Sequence, residues 1–451
     1  MLRRTLGQAA LAAAAVPTLS SLAAPALAQG GPVEIQFWHG LAQPLGGLLE
    51  KLVADFNATQ TAVKLMPSFR GGYPETMVAA IAAFRANQAP HIVQMFEVGT
   101  GTMMAAGRAV KPVHELLAET GVQIDFNDFL PGVRGYYASA DGKQMSMPFN
   151  SSTAVVYYNK DMFRRANLNP DTFPTTWGGV EQALRALKAA GIETPLTTSW
   201  PTWLNIEQFS AIHDIPVATL ANGFGGLGTE LRTNNPLVVK HMGNLQSWSR
   251  EGLYRYGGRD AAADALFPAG QVAIGMASSG SRARIVNEAR FQWGVAMLPY
   301  FEGTPRAPGN SIIGGASFWT MNKGPRETRS AAEYKGVADF YKYISGTEVG
   351  AKWHQDTGYL PLTRAMFEAT KKTDYYQRNP GADVPIEQML RGTTSENTRG
   401  LRLGGLVEIR NIIQEEMEKM LQGQQSAEQA MAAASTRGNV VLRNFERTNR
   451  G

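Results

Sequence analysis

Val33-Glu34-Ile35-Gln36-Phe37-Trp38 alternates like a strand, Leu48-Leu49-Leu52-Val53-Phe56 then repeats at helical spacing, and Val63-Lys64-Leu65-Met66 is extended again. This is a β-α-β unit, and it decides the fold class. A helical stretch from Tyr73 to Ala86 and the apolar run His91-Ile92-Val93-Gln94-Met95-Phe96 repeat the pattern, so this first part of the chain reads as a doubly wound sheet. A second sheet is read from Ala154-Val155-Val156-Tyr157-Tyr158, Thr194-Pro195-Leu196-Thr197, Gln271-Val272-Ala273-Ile274-Gly275-Met276 and Trp293-Gly294-Val295-Ala296-Met297, with helices between them. The last third is mostly helical: Leu406 to Met420 and Ala427 to Phe445 are joined by the turn Gly423-Gln424-Gln425-Ser426. No internal repeat and no long Pro- or Gly/Ser-rich linker separates the halves. Two α/β lobes joined by short crossovers follow from that.

Upstream of the first strand, residues 1–28 carry Arg3 and Arg4, an Ala/Leu-rich stretch, and Ala26-Leu27-Ala28, the small-x-small pattern of a signal-peptidase site. The mature chain then starts at Gln29, outside the cytoplasm. Arg3-Arg4-Thr5-Leu6-Gly7 reads either as a twin-arginine signal or as an ordinary secretory one. Pro17, Ser20, Ser21 and Pro25 interrupt the apolar run well short of the ~20 residues that a membrane span needs.

The 451 residues are 44% hydrophobic, enough to bury a large core, and they contain no cysteine. Disulfides, thiolate metal sites and thiol nucleophiles are thereby excluded. Without the signal, 41 basic residues face 38 acidic ones, dispersed rather than gathered into the stripes that track nucleic acid.

Catalytic motifs are not found. Gly223-Phe224-Gly225-Gly226-Leu227-Gly228 has dinucleotide-loop spacing but lacks the strand-turn-helix context and a following acidic residue, and is read as a loop. Gly275-Met276-Ala277-Ser278-Ser279-Gly280 is one residue too long for a nucleophile elbow. No two of His39, His91, His114, His213, His241 and His354 stand at metal-binding spacing. A carboxylate pair meeting in space, as in a glycoside hydrolase, stays open as the enzymatic alternative.

Other segments suit an anion and a polyol. Ser278-Ser279-Gly280-Ser281 lies between a strand and a helix, where it either cradles an anion or caps the helix. Asn150-Ser151-Ser152-Thr153 just before a strand, Ile312-Ile313-Gly314-Gly315-Ala316-Ser317, and Gly71-Gly72-Tyr73 at a helix start offer further small donors. The aromatic residues Trp38, Tyr73, Trp200, Trp203 and Tyr359 accompany them; Trp200 and Trp203, in a Pro-containing loop, either pack on a sugar or glycerol face or anchor the core. Glu97, at a strand end, either accepts from a hydroxyl or caps a helix. Arg402 and Arg410 offer guanidinium forks for a phosphate, against surface ion pairs as the alternative.

Phe37-Trp38-His39, Ala82-Ala83-Phe84-Arg85, Phe96-Glu97-Val98-Gly99-Thr100, Pro148 to Thr153, Tyr157-Tyr158-Asn159-Lys160 and Ala277 to Ser281 together resemble the family of periplasmic sn-glycerol-3-phosphate-binding proteins of bacterial ABC importers. The likeness continues through Ile312 to Ser317, Trp353-His354-Gln355, Thr357 to Pro361, Asn379 to Asp383 and Gly400 to Gly404. It covers essentially the whole mature chain.

The resemblance implies a two-lobed Venus-flytrap fold of two doubly wound sheets with a hinge and a helical C-terminal region, and no reaction, metal or cofactor. Residues 29–148 plus 300–345 are assigned to the first lobe, 149–299 plus 346–451 to the second. Carried over position by position, Tyr73, Ser152, Ser278, Gly315, Tyr359 and Arg410 surround the phosphate, Glu97 accepts from a glycerol hydroxyl, and Trp200 and Trp203 wall the glycerol carbons. The expected ligand is sn-glycerol 3-phosphate or a glycerophosphodiester such as glycerophosphocholine. Inner-membrane ABC permease subunits are the expected partners of a periplasmic monomer without stable membrane insertion. A sugar-binding protein of the same fold is the second reading and an exported hydrolase the third. The family's F-x-x-G-x-x-A-M run is here Phe267 to Ile274, a change of packing only, and Gly40 stands after His39 where a serine is usual.

Overall fold

The computed structural model describes residues 31–449. The signal-peptide and twin-arginine readings, and the start at Gln29, lie outside the described residues. The strands in chain order are β1 (Val33–His39), β2 (Val63–Phe69), β3 (Ile92–Phe96), β4 (Val110–Lys111), β5 (Met147–Ser152), β6 (Ala154–Asn159), β7 (Leu196–Thr198), β8 (Tyr254–Tyr256), β9 (Ile274–Ser278), β10 (Trp293–Ala296) and β11 (Gly314–Met321).

They form two sheets. The first has the order β2-β1-β3-β11-β4, with β5 also pairing to β11; the second has the order β10-β6-β9-β7-β8. β1 is parallel to β2 and β3, and β7 is parallel to β8 and β9, as β-α-β units require. Neither sheet is purely parallel, however: β11 runs antiparallel to β3, β4 and β5, and β6 antiparallel to β9 and β10. The antiparallel strands are those at which the chain passes between lobes. β5 in the first sheet continues through Thr153 alone into β6 in the second, and residues 297–313 lead back from β10 to β11.

Alternation puts Ile35 and Phe37 of β1 in the first core, where they meet Leu49, Val53 and Phe56 from the helix Leu45–Ala58. In the second lobe the helices Leu406–Leu421 and Ala427–Asn449 pack on each other and on the helix Pro236–Arg250. Several segments join a different lobe from the one the sequence reading assigned; Tyr300 and Phe301, for example, pack on the second-lobe core, and Ile386 and Met389 are buried in the first. β5 extends the first sheet to Ser152 rather than stopping at 148. The helices Thr347–Thr357 and Arg364–Lys371, assigned from sequence to the second lobe, bury Trp353 and Met366 in the same core as Phe37 and Phe318. Amphipathic spacing defines an apolar face but not the core that face covers.

The two crossovers are tied together. The Gln208 side chain donates to the Ile312 carbonyl (2.7 Å) and accepts from the Ile312 N–H (3.1 Å), while the Thr153 hydroxyl donates to the same carbonyl (2.8 Å). Gln388 adds a second clamp, donating to the Ala154 carbonyl and accepting from the Leu298 N–H. Gln208→Leu strands a buried Ile312 N–H and weakens the tie between the crossovers. It is expected to cost about 1–2 kcal/mol, read as a lower Tm together with faster hydrogen exchange at the Ile312 amide; unchanged exchange there would show that the clamp does not hold the crossovers.

Candidate functional site

The ends of the parallel strands converge on one cleft between the sheets, as expected of open α/β sheets. Gly40 follows β1, Glu97 follows β3, Trp200 follows β7, and Ser278 ends β9; all line a cleft of about 430 Å³. Every one of the nine residues read from sequence as ligand-binding lines this cleft: Tyr73, Glu97, Ser152, Trp200, Trp203, Ser278, Gly315, Tyr359 and Arg410.

One wall consists of small donors. Ser152 ends β5 and faces Gly314 of β11, so Asn150 to Ser152, just before the strand β6 as expected, are themselves the last residues of a strand. Gly315 has φ +84°, and a Cβ there would lie 2.0 Å from the Asn150 carbonyl oxygen, so glycine is required. Ser278 does cap the turn after β9, accepting from the Gly280 N–H at 3.1 Å, and its own hydroxyl proton is left to donate. A Cβ at Gly280 would lie 2.8 Å from the Tyr359 ring, so that glycine lets the ring enter the cleft.

Two tyrosines meet this wall. A chain of hydrogen bonds runs from the Gly40 N–H to Gln94 Oε1, from Gln94 to Asn150 Oδ1, and from Asn150 Nδ2 to the Tyr73 hydroxyl (2.8 Å). Tyr73 thus has an acceptor site filled and a proton to give. Burial pushes the Tyr359 hydroxyl up to about 12 and Tyr73 well above its ordinary value, so both stay neutral donors. Gly40 belongs to this construction: a Cβ there would lie 2.9 Å from the Tyr73 backbone nitrogen.

At the base of the cleft lies a buried ion cluster. The Arg410 Nε donates to Glu207 Oε1 (2.6 Å), and Nη2 donates both to Glu207 Oε2 (2.8 Å) and to Glu97 Oε1 (2.7 Å). The three residues are 9%, 4% and 6% exposed for Arg410, Glu207 and Glu97 respectively, so this is no surface ion pair. Burial raises the Glu97 pKa, and Glu207 pushes it the same way against the pull of Arg410. For Arg410 burial alone would ease deprotonation, but the two carboxylates outweigh it and hold the guanidinium charged. Both fork directions along Nε and Nη2 are filled by protein. Among the described residues Nη1 has no hydrogen-bond partner, so only Nη1 is left to donate, and the two parallel bonds expected of a free fork are already taken by protein.

Glu207 lacks any sequence signal. It lies in a π-helical turn, Trp203–Gln208, whose widened register turns Trp203 to the cleft, Glu207 to Arg410 and Gln208 to the crossover. Trp200 and Trp203 are therefore not in one loop: Trp200 holds a left-handed backbone (φ +50°) just before that turn, and the Trp203 indole is buried. The Trp200 and Tyr73 rings face each other from opposite lobes at 6.3 Å. Asp260, Asp264 and Glu75 also line the cleft, and burial raises the carboxyl pKa of both aspartates.

Other candidates lie elsewhere. Arg402 donates to the carbonyls of Gly135 and Tyr136 and stacks on Phe224, 4.2 Å from its ring centroid. Trp38 lies under Arg70 at 4.2 Å. The Gly223 to Gly228 segment is a loop, with Leu220, Ala221 and Asn222 before it in left-handed conformations. No group of three His, Asp or Glu side chains among the described residues is arranged to hold a metal, and no helix among them is long and apolar enough to cross a membrane.

Residues 51–383 match the model of the bacterial extracellular solute-binding protein family. The chain is 42% identical over 438 residues to the sn-glycerol-3-phosphate-binding periplasmic protein UgpB of Pectobacterium atrosepticum, covering 96% of this chain and 97% of that one. It is 44% identical over 418 residues to the corresponding protein of Yersinia enterocolitica, covering 92% and 94%. Among solved structures it resembles UgpB from Mycobacterium tuberculosis in complex with glycerophosphocholine (TM-score 0.73, 21% identity, 92% and 99% covered). It also resembles a cyclic α-maltosyl-1,6-maltose binding protein from Arthrobacter globiformis (TM-score 0.72, 20% identity, 92% and 100% covered). The two-lobed fold expected from sequence is the fold of these neighbours.

Gly315→Ala drives a methyl group into the Asn150 carbonyl and imposes a left-handed conformation on alanine, at a cost of roughly 1–3 kcal/mol. The expected result is a Tm lowered by several degrees and a displaced β5–β11 pairing; an unaltered Tm with unaltered ligand affinity would show that the backbone here has room to yield.

Proposed function

The chain belongs to the bacterial extracellular solute-binding proteins, and from that premise we propose that it captures sn-glycerol 3-phosphate, or a glycerophosphodiester such as glycerophosphocholine, in the periplasm. It hands the ligand to the inner-membrane permease of an ABC importer, works as a monomer and catalyses no reaction. The observation that carries this reading is the convergence, in one interlobe cleft, of hydroxyl donors, one unfilled guanidinium nitrogen and an aromatic wall.

Each part has a chemical task. A phosphate taken from water needs its oxygens matched by donors, or its desolvation costs several kcal/mol. Ser152, Ser278, Tyr73 and Tyr359 supply neutral donors, and Arg410 Nη1 adds a charge-assisted one. Trp200 and Trp203 present flat faces to the glycerol carbons, and Glu97 offers its carboxylate to a glycerol hydroxyl. Because Tyr73 and Trp200 come from different lobes, a ligand in the cleft that touches both favours the closed state over the open one.

Titration calorimetry of the mature protein with sn-glycerol 3-phosphate, with glycerophosphocholine and with maltose tests the reading. Binding of either phosphate ester without turnover supports it, whereas binding of maltose alone would move the protein to the sugar-binding members of the fold. Arg410→Ala is expected to weaken phosphate-ester binding about 100-fold, near 2.7 kcal/mol. It should also lower the Tm, because Glu97 and Glu207 are left buried and unpaired. Trp200→Ala should weaken binding with a smaller effect on Tm.

A further inference from the structure

The cleft has a charge that sits oddly with a doubly charged ligand. Four carboxyl side chains line it, Glu75, Glu97, Asp260 and Asp264, against the two guanidinium groups of Arg284 and Arg410. Arg410 is further compensated from behind by Glu207, which fills two of its donor directions without itself lining the cleft. With both glutamates ionised, the buried Glu97–Arg410–Glu207 cluster carries one net negative charge at the base of the site. A phosphomonoester is a dianion above its second pKa near 6, while a phosphodiester stays a monoanion.

We propose that Glu207 is a specificity-determining residue that sets the charge state of the accepted phosphate, tilting the cleft away from the dianion and toward singly charged phosphate esters. This rests on the reading of the cleft as a glycerol-phosphate site. Glu207 acts through Arg410: the two parallel bonds fix the guanidinium plane so that Nη1 alone points outward, and the carboxylate subtracts charge that a dianion would otherwise meet. The groups facing this cluster are Tyr136 and Tyr137 from the helix Pro131–Tyr137, Tyr73 from the helix Tyr73–Arg85, Asp260 across the cleft with Glu75 beside it, and Arg402 behind Tyr136. The three tyrosines stay neutral through the working range because burial raises them. On acidification the ligand loses its second charge, which relieves the penalty on the monoester, and the upward push of burial on the Glu97 carboxyl acts in the same direction.

The test compares sn-glycerol 3-phosphate with its methyl diester, which has the same glycerol but one charge at all pH values used. Association constants of the full mature chain are measured from pH 5.5 to 8. In the wild type the diester-to-monoester ratio is expected to rise several-fold with pH across the monoester's second pKa. Glu207→Gln, which keeps the shape and removes the charge, should lower that ratio at pH 8 by about tenfold; Glu207→Asp, which keeps the charge, should retain it. A ratio unmoved by Glu207→Gln, or moved equally by Glu207→Asp, overturns the inference while leaving the glycerol-phosphate reading intact. Should Glu207→Gln fail to fold, a wild-type ratio flat with pH overturns it as well. Binding of neither ester to the wild type overturns both readings together.

Discussion

A guanidinium buried between two carboxylates is the constraint from which the rest of this molecule can be reasoned. Arg410 comes from the helix Leu406–Leu421, Glu207 from the π-helical turn, and Glu97 from the residue after β3, so the cluster joins the first sheet to the second lobe at the floor of the cleft. Withdrawing such groups from water costs several kcal/mol per ion, recovered only if the geometry is good and the hydrogen bonds are complete. Three bonds of 2.6 to 2.8 Å meet that requirement. Removing any one member strands the others, so a change at Arg410 acts on stability as well as on the cleft it lines.

Around that floor the fold divides its labour between strands of opposite sense. Parallel strands β1, β3 and β7 end at the cleft and deliver Gly40, Glu97 and Trp200 there. The antiparallel β5 and β11 carry the chain across and supply Ser152 and Gly315 from the backbone of the crossover itself. The crossovers and the cleft wall therefore share residues. Tyr73 and Trp200 face each other only because these crossovers hold the two lobes at that separation.

Much of this was legible in the chain. β1, β2, β3, β6 and β10 carry alternating or continuous apolar runs, and their positions follow from periodicity. β5 and β11 were harder to see, because Met147–Ser152 holds a proline, an asparagine and two serines, and Gly314–Met321 opens on two glycines. Those are the residue types of a turn, present here because a ligand site and a close backbone approach demand them. All nine expected site residues reach the cleft, through the resemblance of their surrounding motifs rather than through spacing. Glu207 did not emerge, since its partner Arg410 lies 203 positions away and nothing local separates it from a solvent-facing glutamate on a helix.

The π-helical turn Trp203–Gln208 also limits how this stretch of sequence can change. Such a turn is an α-helix with one residue too many, and Trp203, Glu207 and Gln208 take their directions from that surplus. Loss of a single codon within it would restore a regular helix and rotate the cleft wall, the partner of Arg410 and the clamp on Ile312 out of place at once. Point substitutions can vary these residues one at a time, but a shift of reading length cannot. The segment should therefore accept changes of letter and refuse changes of length, a stricter rule than a surface loop of equal size obeys.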